Sequence, residues 1–345
     1  MARLSCRGWV WMAIVSVGAA LAPAAARAQK SEEVQFDTTD KVELHGTFYP
    51  SMKSKAPCVI LLHKLGGNRD EHGWDQLAQV LQKDYAVLRF DFRGHGDSTN
   101  VEPGFWRFPN NALIKGAARM PQKISYKDFP PGYLPVPAND VQSAKRYLDT
   151  QSDSGACNSA NVIVIGAEEG AAIGALWIAS EWDRRRFTKS SFGQWILDPQ
   201  GRVEGESIAA AAWLSMPKTL SGMHVGLWLK GSNNRVRDKV PMVFFYGLQD
   251  TKAQKAADAL YSELKRVSSR DKLTELTVLR SKSTKLSGAD LLGKKDFKTE
   301  DDILVYLTDK ALPKRGIKAW VQRDAERPLL PVPLTQFNLY LPQLR

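Results

Sequence analysis

Residues 162–172 read Val162-Ile163-Val164-Ile165-Gly166-Ala167-Glu168-Glu169-Gly170-Ala171-Ala172, and this stretch decides the architecture. Four aliphatic residues in a row suit a strand buried on both faces of a parallel sheet. Glycines stand two positions before and two positions after Glu168, as a sharp turn requires when its neighbours can carry no side chain. Small residues at helical period follow over 171–178. The string therefore predicts a strand, a tight turn and a helix, with Glu168 at the apex of the turn.

Working outward, the same kind of short apolar run recurs at 58–62 (CVILL), 86–90 (AVLRF), 208–214 (IAAAAWL), 242–246 (MVFFY) and 276–279 (LTVL). Stretches of helical period lie between or after them, at 74–81, 141–148, 171–178, 256–264 and 303–307. Ahead of them, residues 33–49 alternate apolar and polar on both sides of Thr38-Thr39-Asp40, which reads as a β-hairpin. Strand and helix in alternation make a doubly wound, mostly parallel α/β sheet led by an antiparallel hairpin. The chain divides into a leader at 1–28, one domain at 29–318 and a proline-rich segment at 319–345, read as an extended strap because prolines exclude a helix. Residues 101–137, rich in proline and aromatics, read as an ordered insertion, and no internal repeat appears.

Four landmarks, taken in order, resemble the α/β-hydrolase superfamily, nearest to its lysophospholipase-like and serine aminopeptidase-like esterase branch. Leu61-Leu62-His63-Lys64-Leu65-Gly66-Gly67-Asn68 is similar to the HGxGG loop after the first parallel strand, with Lys64 where glycine is usual. Phe90-Asp91-Phe92-Arg93-Gly94-His95-Gly96-Asp97-Ser98 resembles the DxRGHGxS segment. The stretch around Glu168 looks like the nucleophile elbow. Met242 to Asp250 (MVFFYGLQD) is similar to the strand and GxxD turn that deliver the acid of a catalytic triad. The resemblance spans residues 33–312 and implies an α/β-hydrolase fold with a small cap or none, the stretch between Leu214 and Val240 being short.

The resemblance also implies site positions. Glu168 stands where the family has its nucleophile, Asp250 at the acid position, and Leu65 and Glu169 at the oxyanion-hole amides. The triad histidine is expected within Thr284-Lys285-Leu286-Ser287-Gly288-Ala289-Asp290, where Ser287, or Leu286 in the neighbouring register, replaces it. A serine nucleophile needs a histidine to take and return its proton, so serine chemistry is not expected. Glutamate could attack directly, but the resulting enzyme ester needs a base to activate water. Of the five histidines, His45 falls in the hairpin, His72 beside the first helix, and His63 and His95 in loop motifs. His224 alone is a candidate relocated base. The alternative for Glu168 is structural: at a helix start its carboxylate is stabilised by unpaired amides and the dipole, filling the old oxyanion hole. The function read from these residues is that of a non-catalytic binding or scaffold protein, the alternative being a hydrolase that uses Glu168 with a relocated base.

Composition bounds the rest. Arg3 and Arg7 precede an apolar run from Trp9 to Leu21, and small residues end at Ala26-Arg27-Ala28. That is the pattern of a cleaved export signal, too short to span a bilayer, which takes roughly twenty residues. The expected address is periplasmic or secreted, with no transmembrane segment after cleavage. The formal charge of +11 and clusters such as Arg184-Arg185-Arg186 and Lys294-Lys295 suit an anionic envelope polymer or membrane surface. No basic stripe is interleaved with aromatics, so nucleic acid is not an expected partner. A small acyl or peptide ligand is the other expected partner, its pocket walled by 101–137 and 182–207. No cofactor or metal motif is present. With Cys6 in the leader, Cys58 and Cys157 remain, either bridged or as two buried thiols.

Overall fold

The computed structural model describes residues 30–71, 73–265 and 272–332. The leader, His72 and the strap beyond residue 332 lie outside the described residues. Strands β1 (Glu32–Asp37) and β2 (Glu43–Tyr49) form the leading hairpin, with Glu32 opposite Phe48 and Asp37 opposite Glu43. The sheet continues through β3 (Pro57–Leu62), β4 (Ala86–Phe90), β5 (Asn158–Ala167), β6 (Ile208–Leu214), β7 (Met242–Gly247) and β8 (Val278–Lys282). Their spatial order is β1-β2-β4-β3-β5-β6-β7-β8. β2 pairs antiparallel with β4, and every pairing beyond β4 is parallel.

The apolar runs form strands because both faces of the sheet are covered. All ten residues of the central strand β5 are buried. Successive side chains of a strand point to opposite faces, so Val162 and Val164 enter one core with Trp213 and Phe244. Ile163 and Ile165 enter the other with Leu77, Leu81, Ile303 and Leu307. Helices α1 (Trp74–Gln82), α2 (Ala138–Asp153), α3 (Glu168–Asp183), α4 (Val225–Lys230), α5 (Thr251–Lys265) and α6 (Thr299–Val305) supply those layers. The second core packs α1 and α6, the first α2 to α5. The last strand departs from its sequence reading: Leu276 closes a 3-10 turn and plugs the core at 6% exposure, and the strand begins at Val278. Residues 303–307 straddle the end of α6 and a wider π turn, Tyr306–Ala311.

Arg93, of the DxRGHGxS string, is fully buried and knots three parts of the chain. Its guanidinium meets Asp40 of the β1–β2 turn at 2.6 Å and Asp140 of α2 at 2.6 Å. Tyr133 of the insertion, hydrogen-bonded to Asn111, completes the shell at 3.0 Å. The insertion itself is a series of short 3-10 turns, anchored by buried Phe105 and Tyr133.

Residues 317–332 run without helix or strand along α2 and the start of α3's far end. Arg323 and Arg327 of this segment reach Asp149 and Glu204, which burial alone would neutralise. Asn158 and Asn161 donate to the Lys318 carbonyl, and the Val332 amide to Asn139, so both ends of the described segment are pinned. Cys58 and Cys157 are fully buried free thiols, and burial and the adjacent Cys157 push the Cys58 thiol well above its ordinary pKa.

Candidate functional site

Strand β5 ends at Ala167, and the chain turns at Glu168 with φ +48° before α3 begins. A left-handed backbone at a residue other than glycine is strained by about 1–3 kcal/mol and persists only where its surroundings fix it. Here α3 packs hard against the end of β3: a Cβ on Gly170 would lie 2.1 Å from the His63 carbonyl oxygen. Gly170→Ala is therefore expected to cost about 1–3 kcal/mol, read as a drop in the urea midpoint with an unchanged slope.

The loop after β3 faces this turn. Its left-handed position is Gly66 (φ +83°), so Lys64 takes ordinary backbone angles. His63 and His95 hold the loop by the same device: each ring donates from Nδ1 to a carbonyl and accepts an amide proton at Nε2. For His63 these partners are Lys64 O at 2.7 Å and Phe92 N at 3.0 Å, and for His95 they are Arg93 O at 2.9 Å and Gly66 N at 3.0 Å. Burial, joined by the nearby His95, pushes His63 down to about 3, and burial also lowers His95. Both rings are neutral backbone clamps.

The Lys64 side chain lies over the turn, with Nζ 3.7 Å from Glu168 Oε1. Two of the residues that depart from the family pattern thus form an ion pair with each other. Burial raises the Glu168 pKa, Lys64 opposes, and the carboxylates of Glu169, Asp290 and Glu71 add to the rise. Burial works against the charge of Lys64, yet Glu168, Glu71 and Asp290 together lift its pKa. The Glu168 carboxylate rests against Gly288, where a Cβ would come within 2.3 Å of Oε1. Among the described residues the charged partner of this carboxylate is Lys64.

A cleft of about 470 Å³ opens beside this pair and brings Glu168, Glu169, Asp250 and Ser287 together. The Asp250 carboxylate is occupied in capping α5, accepting the Ala253 amide at 3.0 Å. Ser287 lines the cleft, whereas Leu286, half-buried, packs against the second core. His224 lies elsewhere: its Nδ1 accepts the Gly226 amide at 3.1 Å and its Nε2 sits 3.2 Å from Glu263. It does not line the cleft. Ser215, absent from the sequence reading, does; it has φ +51°, and its hydroxyl accepts the Gly288 amide at 2.9 Å.

The walls also differ from expectation. Neither 101–137 nor 182–207 lines the cleft; residues 215–219 and the first turns of α5 do, contributing Lys218, Lys252 and Lys255. The apolar run of β6 pointed to Ser215 only by where it ended, and nothing in the sequence marked the α5 lysines. Among the described residues no group of three His, Cys, Asp or Glu side chains is placed to hold a metal ion, and no helix is long and apolar enough to cross a membrane.

Residues 59–334 match the profile of the Alpha/beta hydrolase family. With the elbow, the loop after β3 and the sheet order in place, the chain belongs to that family. Among solved structures, it superposes on the esterase Pf2001 of Pyrococcus furiosus with a TM-score of 0.52 and 16% identity, covering 81% of this chain and 90% of the other. A putative alpha/beta hydrolase of unknown function from Agrobacterium tumefaciens gives 0.51 and 18%, covering 81% and 98%. At these identities the likeness is one of fold. No curated protein matches the chain.

Proposed function

We propose that this is an exported, non-catalytic member of the α/β-hydrolase family that binds a small acyl or peptide ligand in the cleft beside Glu168. One observation carries the reading: Lys64 and Glu168, at two positions that serine hydrolysis needs free, are paired with each other at 3.7 Å. Among the described residues no histidine lines the cleft, which supports it, since acyl transfer through serine or carboxylate needs a base. The cleft volume of about 470 Å³ is in the range of small-molecule sites. Export follows from the leader at 1–28.

The expected result is that short acyl esters and aminoacyl amides turn over no faster with protein than without, and that Glu168→Ala leaves this background unchanged. Turnover abolished by Glu168→Ala would replace the proposal with the second reading, a hydrolase using Glu168 as nucleophile. The retained strain at Glu168 is the observation that favours this second reading, because such strain clusters at working sites. Its marker is a covalent adduct on Glu168, visible by intact mass with an activated ester.

A further inference from the structure

The Arg184-Arg185-Arg186 cluster leads into a feature that the cleft does not explain. After α3 the chain forms a small projecting hairpin, Phe187–Lys189 paired with Trp195–Leu197. Its tip is built, not loose: the Ser190 amide donates to Gln194 O at 2.8 Å and the Gly193 amide to Ser190 O at 2.9 Å. The Ser190 hydroxyl also accepts the Phe192 amide at 3.3 Å. This turn holds Phe192 outward at 91% exposure, with Ile196 at 40% and Leu197 at 44% beside it. An aromatic this exposed on an ordered turn marks a contact surface.

Basic side chains outnumber acidic ones around the tip. Arg184 and Arg186 are turned inward, Arg184 to Glu181 and the Leu330 carbonyl, Arg186 toward Glu204. Arg185, Lys189 and Arg202 stay exposed, whereas the one acid of the stretch, Asp198, is buried against Arg202. Lys189 lies 4.9 Å over the Trp195 ring and reaches Asp324 of the strap at 3.5 Å. We propose that this hairpin is a membrane-surface anchor: Phe192 and Ile196 enter the interface of an anionic bilayer while Arg185, Lys189 and Arg202 meet its headgroups. Apolar tips collared by Lys and Arg are what an anionic interface binds.

A second copy of the chain fits less well. A stable dimer buries about 800 Å² per partner, whereas a hairpin tip offers a point, and two basic collars would repel. The anchor sits at the far end of α3 from the cleft, about 24 Å away at 1.5 Å per residue over its 16 residues, so a docked molecule keeps the cleft open to water.

The test is co-sedimentation of the chain lacking residues 1–28 with vesicles of phosphatidylglycerol and phosphatidylcholine in equal parts, and with phosphatidylcholine alone. The expected result is binding to the anionic vesicles only, weakened by added salt and reduced about tenfold or more by Phe192→Ser, which is exposed and leaves the fold intact. Three results overturn the proposal: no binding, equal binding to both vesicles, or binding unchanged by Phe192→Ser. A concentration-dependent dimer abolished by Phe192→Ser would likewise overturn it and assign the hairpin to self-association.

Discussion

Arg93→Ala is expected to lower the free energy of unfolding by about 3–5 kcal/mol, the cost of breaking a buried ion pair by removing one partner. The guanidinium has no exposed surface and serves Asp40, Asp140 and Tyr133 at once. Without it two carboxylates stay buried and face each other across the gap, and the hairpin turn, the insertion and α2 lose their common tie. Arg93→Met, which keeps the volume, is expected to lose nearly as much, since the penalty lies in the orphaned carboxylates. Urea denaturation of both variants is the measurement. A loss below about 1 kcal/mol would place the knot among the weak pairs of the surface.

The second large effect is acid sensitivity, and its sign follows from His63. The ring has an ordinary pKa of 6.5 in the unfolded chain and about 3 in the folded one. Between those values the unfolded state holds the proton and the folded state does not. Stability is therefore complete above about pH 6.5 and falls as pH drops toward 3, by about 1.4 kcal/mol per pH unit for this one group. His95 acts in the same direction. Asp140, which burial raises to about 6, acts oppositely below that value, because the folded state then keeps its proton better than the unfolded state does. His63→Gln is expected to be less stable at neutral pH yet to show a shallower slope from pH 6.5 to 4.5 in thermal unfolding. An unchanged slope would show that His63 is not held neutral.

Much of this fold was legible because local pattern and global arrangement agree. The aliphatic runs became the buried strands, and the glycines around Glu168 marked a place where helix, turn and neighbouring loop crowd too closely for a side chain. The last strand was less legible, since LTVL reads as strand throughout although Leu276 is drawn into the core at the end of a turn. Glu168 and Asp250, each read from a single string, line one cleft. What depends on side chains from distant strings was invisible: the reach of Lys64 to Glu168 and the engagement of His224 with Glu263. Helical period placed α5 correctly but said nothing of which of its lysines would face the cleft.

On the proposed non-catalytic reading, the Lys64–Glu168 pair sets how this site could take up serine hydrolysis. A lone exchange of the acid for serine would remove one of three carboxylates, those of Glu168, Glu71 and Asp290, that favour the Lys64 charge beside the turn. A lone exchange of the lysine would leave the Glu168 carboxylate with those of Glu169, Asp290 and Glu71 and without the attraction that Lys64 supplies. The two loops are coupled through this pair, so on that reading serine chemistry would need both to change together, with an imidazole added as base.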